Sequence, residues 1–111
     1  MDNLSNKKCE ACRVDAPKVD SDQALRLLSQ IPGWNIVTEE GMSRLKRVYA
    51  FPNFEKALAF AIKIGALAEA ENHHPAILTE WGKVTVAWWT HKIKGLHMND
   101  FIMAAKTDRL Q

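Results

Sequence analysis

The length and composition of the chain indicate one globular domain. It has 111 residues, of which 47% are hydrophobic and 25% are charged, so it can bury a core and is too apolar to be disordered throughout. Its formal net charge of +2 is too small to indicate direct binding to nucleic acid or an acidic membrane surface, and no apolar run reaches the roughly 18 residues that span a bilayer.

The N-terminal segment predicts an irregular arm. Residues 1–19 contain no apolar stretch typical of a secretory signal, which favours a cytoplasmic protein with reduced thiols. Cys9 and Cys12 form a single C-x-x-C motif, but no second Cys or His pair has the spacing that would complete a zinc site, and no strand pattern precedes it as in a redox motif. We predict an arm over residues 1–19 and a single domain over residues 20–111, with a metal or redox role for the cysteines as the alternative.

The first half of this domain has the pattern of a helix followed by a β-hairpin. Ser21 is the predicted N-cap of a helix that runs to about Gln30, because proline and glycine follow shortly after it. Strands are predicted over residues 34–38 and 42–51, joined by a short turn at residues 39–41.

The second half repeats this arrangement with a longer helix. We predict a helix over residues 54–70, strands over 76–80 and 83–90 around a turn at 81–82, and a final helix over 99–110. The long helix has an apolar stripe at spacings of three and four, formed by Phe54, Leu58, Ala61, Gly65 and Ala68.

The order α-β-β-α-β-β-α predicts an α+β domain, with a four-stranded antiparallel sheet and helices packed on one face. The uncovered face would expose strand side chains, including some of the tryptophans. Because a large exposed apolar area usually marks a partner, we expect self-association through the sheet or its edge.

Two adjacent histidines mark the junction between the long helix and the third predicted strand. His73 and His74 precede Pro75, which favours extended backbone before it, so their side chains diverge. His91 follows the fourth predicted strand, and the tight turn at residues 81–82 should bring it close to this pair. Because histidine exchanges protons near neutral pH, such a cluster suits general acid–base catalysis.

Acidic side chains near this cluster could orient an imidazole. The candidates are Glu69, Glu71 and Asp100. The alternative for Asp100 is a capping carboxylate in the first turn of the final helix, and that for His91 and His97 is a surface position or a C-terminal helix cap.

The spacing of these residues resembles the signature of the pterin-4a-carbinolamine dehydratases. That signature, E-x-x-N-H-H-P followed by a hairpin and T-H-x-x-x-G-L-x-x-x-D, is matched by residues 69–75, by residues 90–96 and by Asp100. The resemblance covers about residues 20–110. The C-E-A-C motif and the W-G-K-V-T-V-x-W-W segment look like the bacterial branch that accompanies phenylalanine hydroxylase.

The resemblance implies a dehydratase in tetrahydropterin recycling. Such enzymes remove water from a 4a-hydroxy-tetrahydropterin and yield quinonoid dihydropterin, without a metal or a further cofactor. It implies catalytic roles for His73, His74 and His91, with His73 and His91 as the acid and base pair and His74 positioning the pterin. It implies substrate-binding roles for Glu69, Pro75, Thr90 and Asp100, of which Glu69 and Asp100 would hold or polarise the histidines.

The chain departs from the family at two positions. Ile77 stands where some members have an aromatic residue, which would alter the pocket wall. His97 stands where a serine or threonine often caps the final helix, which would add a fourth imidazole near the pocket.

The resemblance also implies partners. Homodimers or homotetramers are expected, with phenylalanine hydroxylase as a candidate partner and no membrane or direct nucleic-acid partner. The alternative is a non-enzymatic interaction module or a regulator of phenylalanine hydroxylase or its transcription, although such a protein could lose the histidine triad freely. A metal-independent nuclease is less consistent with the sequence, because no glycine-rich cradle or arginine cluster is available for phosphate.

Overall fold

Helices and strands follow one another in the order that the sequence predicts. A computed structural model describes residues 18–90 and 95–111, so most of the predicted arm, both cysteines and His91 lie outside the described residues. The elements are α1 (Ser21–Leu28), β1 (Asn35–Glu39), β2 (Met42–Ala50), α2 (Phe54–Glu71), β3 (Ala76–Glu80), β4 (Lys83–Trp88) and α3 (Met98–Asp108). The described residues therefore confirm the α+β class.

Two hairpins form the antiparallel sheet, whose strand order is β1-β2-β4-β3. Glu40 and Gly41, between β1 and β2, have φ angles of 53° and 77°, the left-handed pair typical of a tight hairpin turn. In the second hairpin Ala76 pairs with Ala87, so the start of β3 lies beside the end of β4. The end of α2 is thereby brought next to the segment that follows β4.

The helix-facing side of the sheet holds the core, which includes Trp34 and Trp88. Leu45, Val86 and Trp88 are fully buried there. The expectation that the uncovered face exposes tryptophans is wrong, because Trp89 is buried beneath the Arg44 guanidinium, 4.0 Å from its ring centroid. Trp81 is 74% exposed, but it lies in the β3–β4 turn.

The predicted cap of α1 is wrong by one residue. Asp20 is the N-cap, since its carboxylate accepts the Gln23 backbone N–H at 2.8 Å and the Gln23 side chain accepts the Asp20 N–H at 3.2 Å. Ser21 lies inside the first turn. A reciprocal capping box requires a side-chain acceptor three residues after the cap, which Asp20 has in Gln23 and Ser21, followed by Ala24, lacks.

The buried face of α2 also differs from the prediction. Phe54 and Leu58 are 44% and 43% exposed. The stripe that packs on the core consists of Ala57, Phe60, Ile64 and Ala68, of which only Ala68 was predicted. Both sets have helical spacing because α2 is apolar on two faces, so tertiary contacts select between them.

The last helix is anchored to the sheet at its C-terminal end. The Asp108 carboxylate accepts the Trp34 indole N–H at 3.0 Å and an Arg47 N–H at 2.9 Å, and it also accepts the Tyr49 hydroxyl. These bonds fix α3 across the sheet, with its N-terminus toward the histidines. None of the helices in the described part of the chain is long and apolar enough to cross a membrane.

Candidate active site

The histidine pair is oriented by the residue that ends α2. Asn72 adopts a left-handed conformation, with φ 52° and ψ 42°, and its backbone N–H bonds to the carbonyls of Ala68 and Glu69. Asparagine tolerates this conformation better than most residues, and it commonly terminates helices. Beyond it His73 turns inward and is 5% exposed, whereas His74 points outward and is exposed. The two side chains therefore diverge, as predicted.

A hydrogen bond joins His73 to Asp100 inside the protein. The His73 Nε2 atom lies 2.7 Å from Oδ1 of Asp100, whose side chain is fully buried. The other oxygen, Oδ2, accepts the Thr90 hydroxyl at 2.8 Å and the His97 backbone N–H at 2.9 Å. Because an ionised carboxylate can only accept hydrogen bonds, Nε2 of His73 carries the proton in this pair.

The same carboxylate helps to cap α3. His97 is the N-cap of this helix, and its Nδ1 accepts the Asn99 backbone N–H at 3.1 Å. The Asp100 carboxylate bonds back to the His97 N–H and completes a capping box. The capping role that the sequence suggests for Asp100 is confirmed, and Asp100 has a second role as the partner of His73. The surface position or C-terminal cap suggested for His97 is wrong, because His97 is buried and caps the N-terminus of α3.

Three further predicted site residues, Glu69, His74 and Pro75, lie nearer the protein surface. The His74 Nε2 atom is 3.5 Å from Glu69 Oε1, and both side chains are largely exposed. Pro75 is half-buried and directly precedes β3. Glu71, a candidate for orienting an imidazole, instead pairs with Lys106, whose Nζ lies 3.7 Å from its carboxylate.

The predicted residues thus separate into a buried and an exposed group. His73, Thr90 and Asp100 form one hydrogen-bonded cluster, and His74 and Glu69 form an exposed pair. His91 lies outside the described residues, although Thr90 directly precedes it and forms an antiparallel bridge with Gly95. The roles of all these residues remain predictions.

Trp88 is a neighbour of His73 that the sequence analysis missed. Its ring is nearly parallel to the His73 imidazole, with an interplanar angle of 6° and 5.7 Å between centroids. The signal available in the sequence was alternation along β4, which places Val84, Val86 and Trp88 on one face.

The buried polar groups of the site are joined by hydrogen bonds to the Asp100 carboxylate. Within residues 18–90 and 95–111, no group of three or more His, Cys, Asp or Glu side chains could hold a metal ion. The arrangement is that of a buried, oriented imidazole beside a second, solvent-exposed one, which can move protons to and from a ligand.

Comparison with known proteins places this fold and site in one family. The family model described as pterin 4 alpha carbinolamine dehydratase matches residues 17–110. A curated relative from Nitrosococcus oceani, named "Putative pterin-4-alpha-carbinolamine dehydratase", is 60% identical over 110 residues, which cover 99% of this chain and 97% of the relative.

A solved structure supports the same assignment. The transcriptional coactivator/pterin dehydratase from Brucella melitensis has a TM-score of 0.77 and 26% identity to this chain, with 85% of this chain and 98% of that one covered. The predicted resemblance and the predicted class of enzyme are confirmed: the chain belongs to the pterin 4 alpha carbinolamine dehydratase family, a family of lyases.

Proposed function

We propose that this chain dehydrates a 4a-hydroxy-tetrahydropterin to quinonoid dihydropterin and water by histidine acid–base catalysis. The family assignment supports the class of reaction. The observation that carries the catalytic assignment is the buried His73–Asp100 pair, with Thr90 bonded to the same carboxylate. Its context is the recycling of a pterin after aromatic amino-acid hydroxylation, in the cytoplasm.

The reaction requires two proton transfers. The substrate has a hydroxyl group on a carbon that also bears nitrogen, and hydroxide leaves this carbon poorly unless it is protonated. One imidazolium would protonate the leaving oxygen while the neighbouring nitrogen supplies electrons and loses its proton to a second imidazole or to water. The proposed pair is His73 and His91, and the mechanism uses no metal and no further cofactor.

The His73–Asp100 bond suits this task for a physical reason. A hydrogen bond from Nε2 to a fixed carboxylate holds the ring in one orientation. With Nε2 facing Asp100, the proposed proton exchange uses Nδ1.

His74 and Glu69 are proposed to contact the pterin itself. Both lie at the protein surface beside the inward-facing His73, and their side chains are 3.5 Å apart. An exposed imidazole next to a carboxylate can donate to and accept from the edge of a heterocycle. Pro75 and Thr90 would form the adjoining wall.

The test is a dehydration assay on freshly generated 4a-hydroxy-tetrahydropterin, followed by ultraviolet absorbance. We expect wild type to accelerate the reaction, and His73→Ala or His91→Ala to lower kcat by about 10²-fold or more. Trp81→Ala is the matched control, since Trp81 lies in the turn at the opposite end of the hairpin. Well-folded wild type without acceleration would refute the proposal.

A second candidate function is that of an interaction module, for example a regulator of phenylalanine hydroxylase or of its transcription. Two observations favour it: the Brucella relative is described as a transcriptional coactivator, and the outer face of α2 leaves Phe54, Leu58 and Ile62 exposed. This apolar face would also suit a homodimer or homotetramer. Sedimentation of wild type and Leu58→Glu tests whether the outer face of α2 is an interface between copies of the chain. Loss of an oligomer in the variant is expected only if it is.

A further inference from the structure

The imidazole of His73 is contacted on its face as well as at its edge. Asp100 bonds its edge through Nε2, and the Trp88 indole stacks against its face. Trp88 is fully buried in β4, so it cannot contact a substrate directly. Trp88 can therefore affect the reaction only indirectly, and His73 is the proposed catalytic residue that it contacts.

A further hydrogen bond fixes the Trp88 ring. Its indole Nε1–H donates to the Thr107 hydroxyl at 3.1 Å, and that hydroxyl donates to the Met103 carbonyl at 2.7 Å. The Thr107 hydroxyl donates its only proton to the Met103 carbonyl. The Thr107 oxygen is therefore left to accept the hydrogen bond from the indole. Thr107 is fully buried as well.

Asp100 and Thr107 both lie on α3, seven residues apart. That spacing is about two turns, so both side chains project from the same face of the helix. One rigid helix thus holds the edge of the imidazole through Asp100 and its plane through Thr107 and Trp88.

We propose that Trp88, held by Thr107, is a positioning residue that sets the plane of the His73 imidazole for proton transfer. This inference rests on the proposed function, because it assumes that His73 exchanges a proton with the substrate. Loss of the Thr107 hydroxyl leaves the buried indole N–H without its acceptor, and the ring shifts to recover one. A misoriented imidazole then lowers kcat, while KM is retained since no substrate contact is lost.

The first arm of the test is kinetic and compares Thr107→Val with Thr107→Ser. The valine variant is expected to lower kcat by about tenfold and to leave KM within about twofold. The serine variant keeps the hydroxyl and is expected to restore kcat. Phe60→Leu is the control for general destabilisation, since Phe60 packs on Tyr49 and Phe51 away from His73.

The second arm does not depend on activity. The measurement is proton NMR of the imidazole rings. Stacking on the Trp88 indole should shift the ring proton resonances of His73 upfield relative to those of the exposed His74. The His73 resonances are assigned as those that disappear in His73→Gln. In Thr107→Val these resonances are expected to move toward the His74 positions, and in Thr107→Ser and Phe60→Leu they are expected to stay. If Thr107→Val does not fold, Trp88→Phe tests the same point, because it keeps an aromatic face and lacks the N–H.

The outcomes separate this inference from the proposed function. Unchanged His73 resonances, or an unchanged kcat, in folded Thr107→Val overturn the positioning role. Wild type without dehydration activity refutes the proposed function, and the resonances then decide by themselves whether Thr107 sets the plane of the ring. A loss of kcat in Phe60→Leu as large as in Thr107→Val also overturns the inference, since the effect would then follow from stability alone.

Discussion

Replacement of Asp100 by asparagine tests the central contact of the site. The carboxylate accepts three hydrogen bonds: from His73 at 2.7 Å, from Thr90 at 2.8 Å and from the His97 N–H at 2.9 Å. Asparagine has nearly the same shape but no charge, and it presents an NH₂ group in place of one of the acceptor oxygens. At least one of the three donors therefore loses its acceptor.

The size of the effect on stability follows from these bonds. A hydrogen bond to a charged group contributes about 1.5–3 kcal/mol and a neutral one about 1 kcal/mol, so the three together should lose about 3 kcal/mol. That is a large fraction of the roughly 5–15 kcal/mol that stabilises a domain of this kind. For a chain of this size the loss corresponds to a decrease in Tm of about 12 °C.

The effect on catalysis is separate. If the NH₂ group of the substituted side chain faces His73, Nε2 must accept a hydrogen bond from it. The imidazole proton then lies on Nδ1, the nitrogen that is proposed to exchange protons with the substrate. We expect kcat to fall on the order of 10²-fold or more in Asp100→Asn, measured below the Tm of the variant.

Asp108→Asn is the matched control on the same helix. Asp108 accepts bonds from Trp34, Arg47 and Tyr49, so the same substitution should destabilise the fold by a comparable amount. Its kcat should remain within about twofold of wild type, because it bonds none of the proposed site residues. Denaturant unfolding followed by tryptophan fluorescence, together with the dehydration assay, measures both effects. A kcat for Asp100→Asn close to that of Asp108→Asn would refute the reasoning.

Substitutions at three other positions test the fold. Asn72→Ala should cost about 1–2 kcal/mol of unfolding free energy and Asn72→Gly much less, because only the former strains the left-handed backbone; equal losses in denaturant unfolding would contradict this. Asp20→Ala should lower stability by about 1 kcal/mol through loss of the α1 cap, and an unchanged unfolding midpoint would show that the cap is dispensable. Burial, reinforced by the hydrogen bond to Asp108, raises the pKa of Tyr49 well above its ordinary value, so its stabilising contribution is complete below about pH 10 and is lost as the pH rises further. The free energy of unfolding of Tyr49→Phe should be lower than that of wild type at neutral pH, but it should decrease less steeply above about pH 10. Parallel plots of unfolding free energy against pH for wild type and Tyr49→Phe would exclude this contribution of Tyr49.

Local patterns in the sequence predicted the secondary structure and its order. Alternation of residues along β2 and the Glu40–Gly41 turn specify a hairpin, because both signals act between neighbours in the chain. The histidine pair before Pro75 was likewise found from sequence, since an adjacent pair must diverge whatever surrounds it. The position of Asp100 near the start of α3 predicted its capping role.

Tertiary structure decided what these local patterns left open. The α2 helix has two apolar faces, and only packing of Phe60 against Tyr49 and Phe51 selects the buried one. Thr90 and Asp100 are far from His73 in the sequence, and they meet it because the pairing of β3 with β4 and the anchoring of α3 bring three elements to one point. A sequence shows which residues can donate, accept or stack, but partners are chosen by distances that only the packed helices and strands establish.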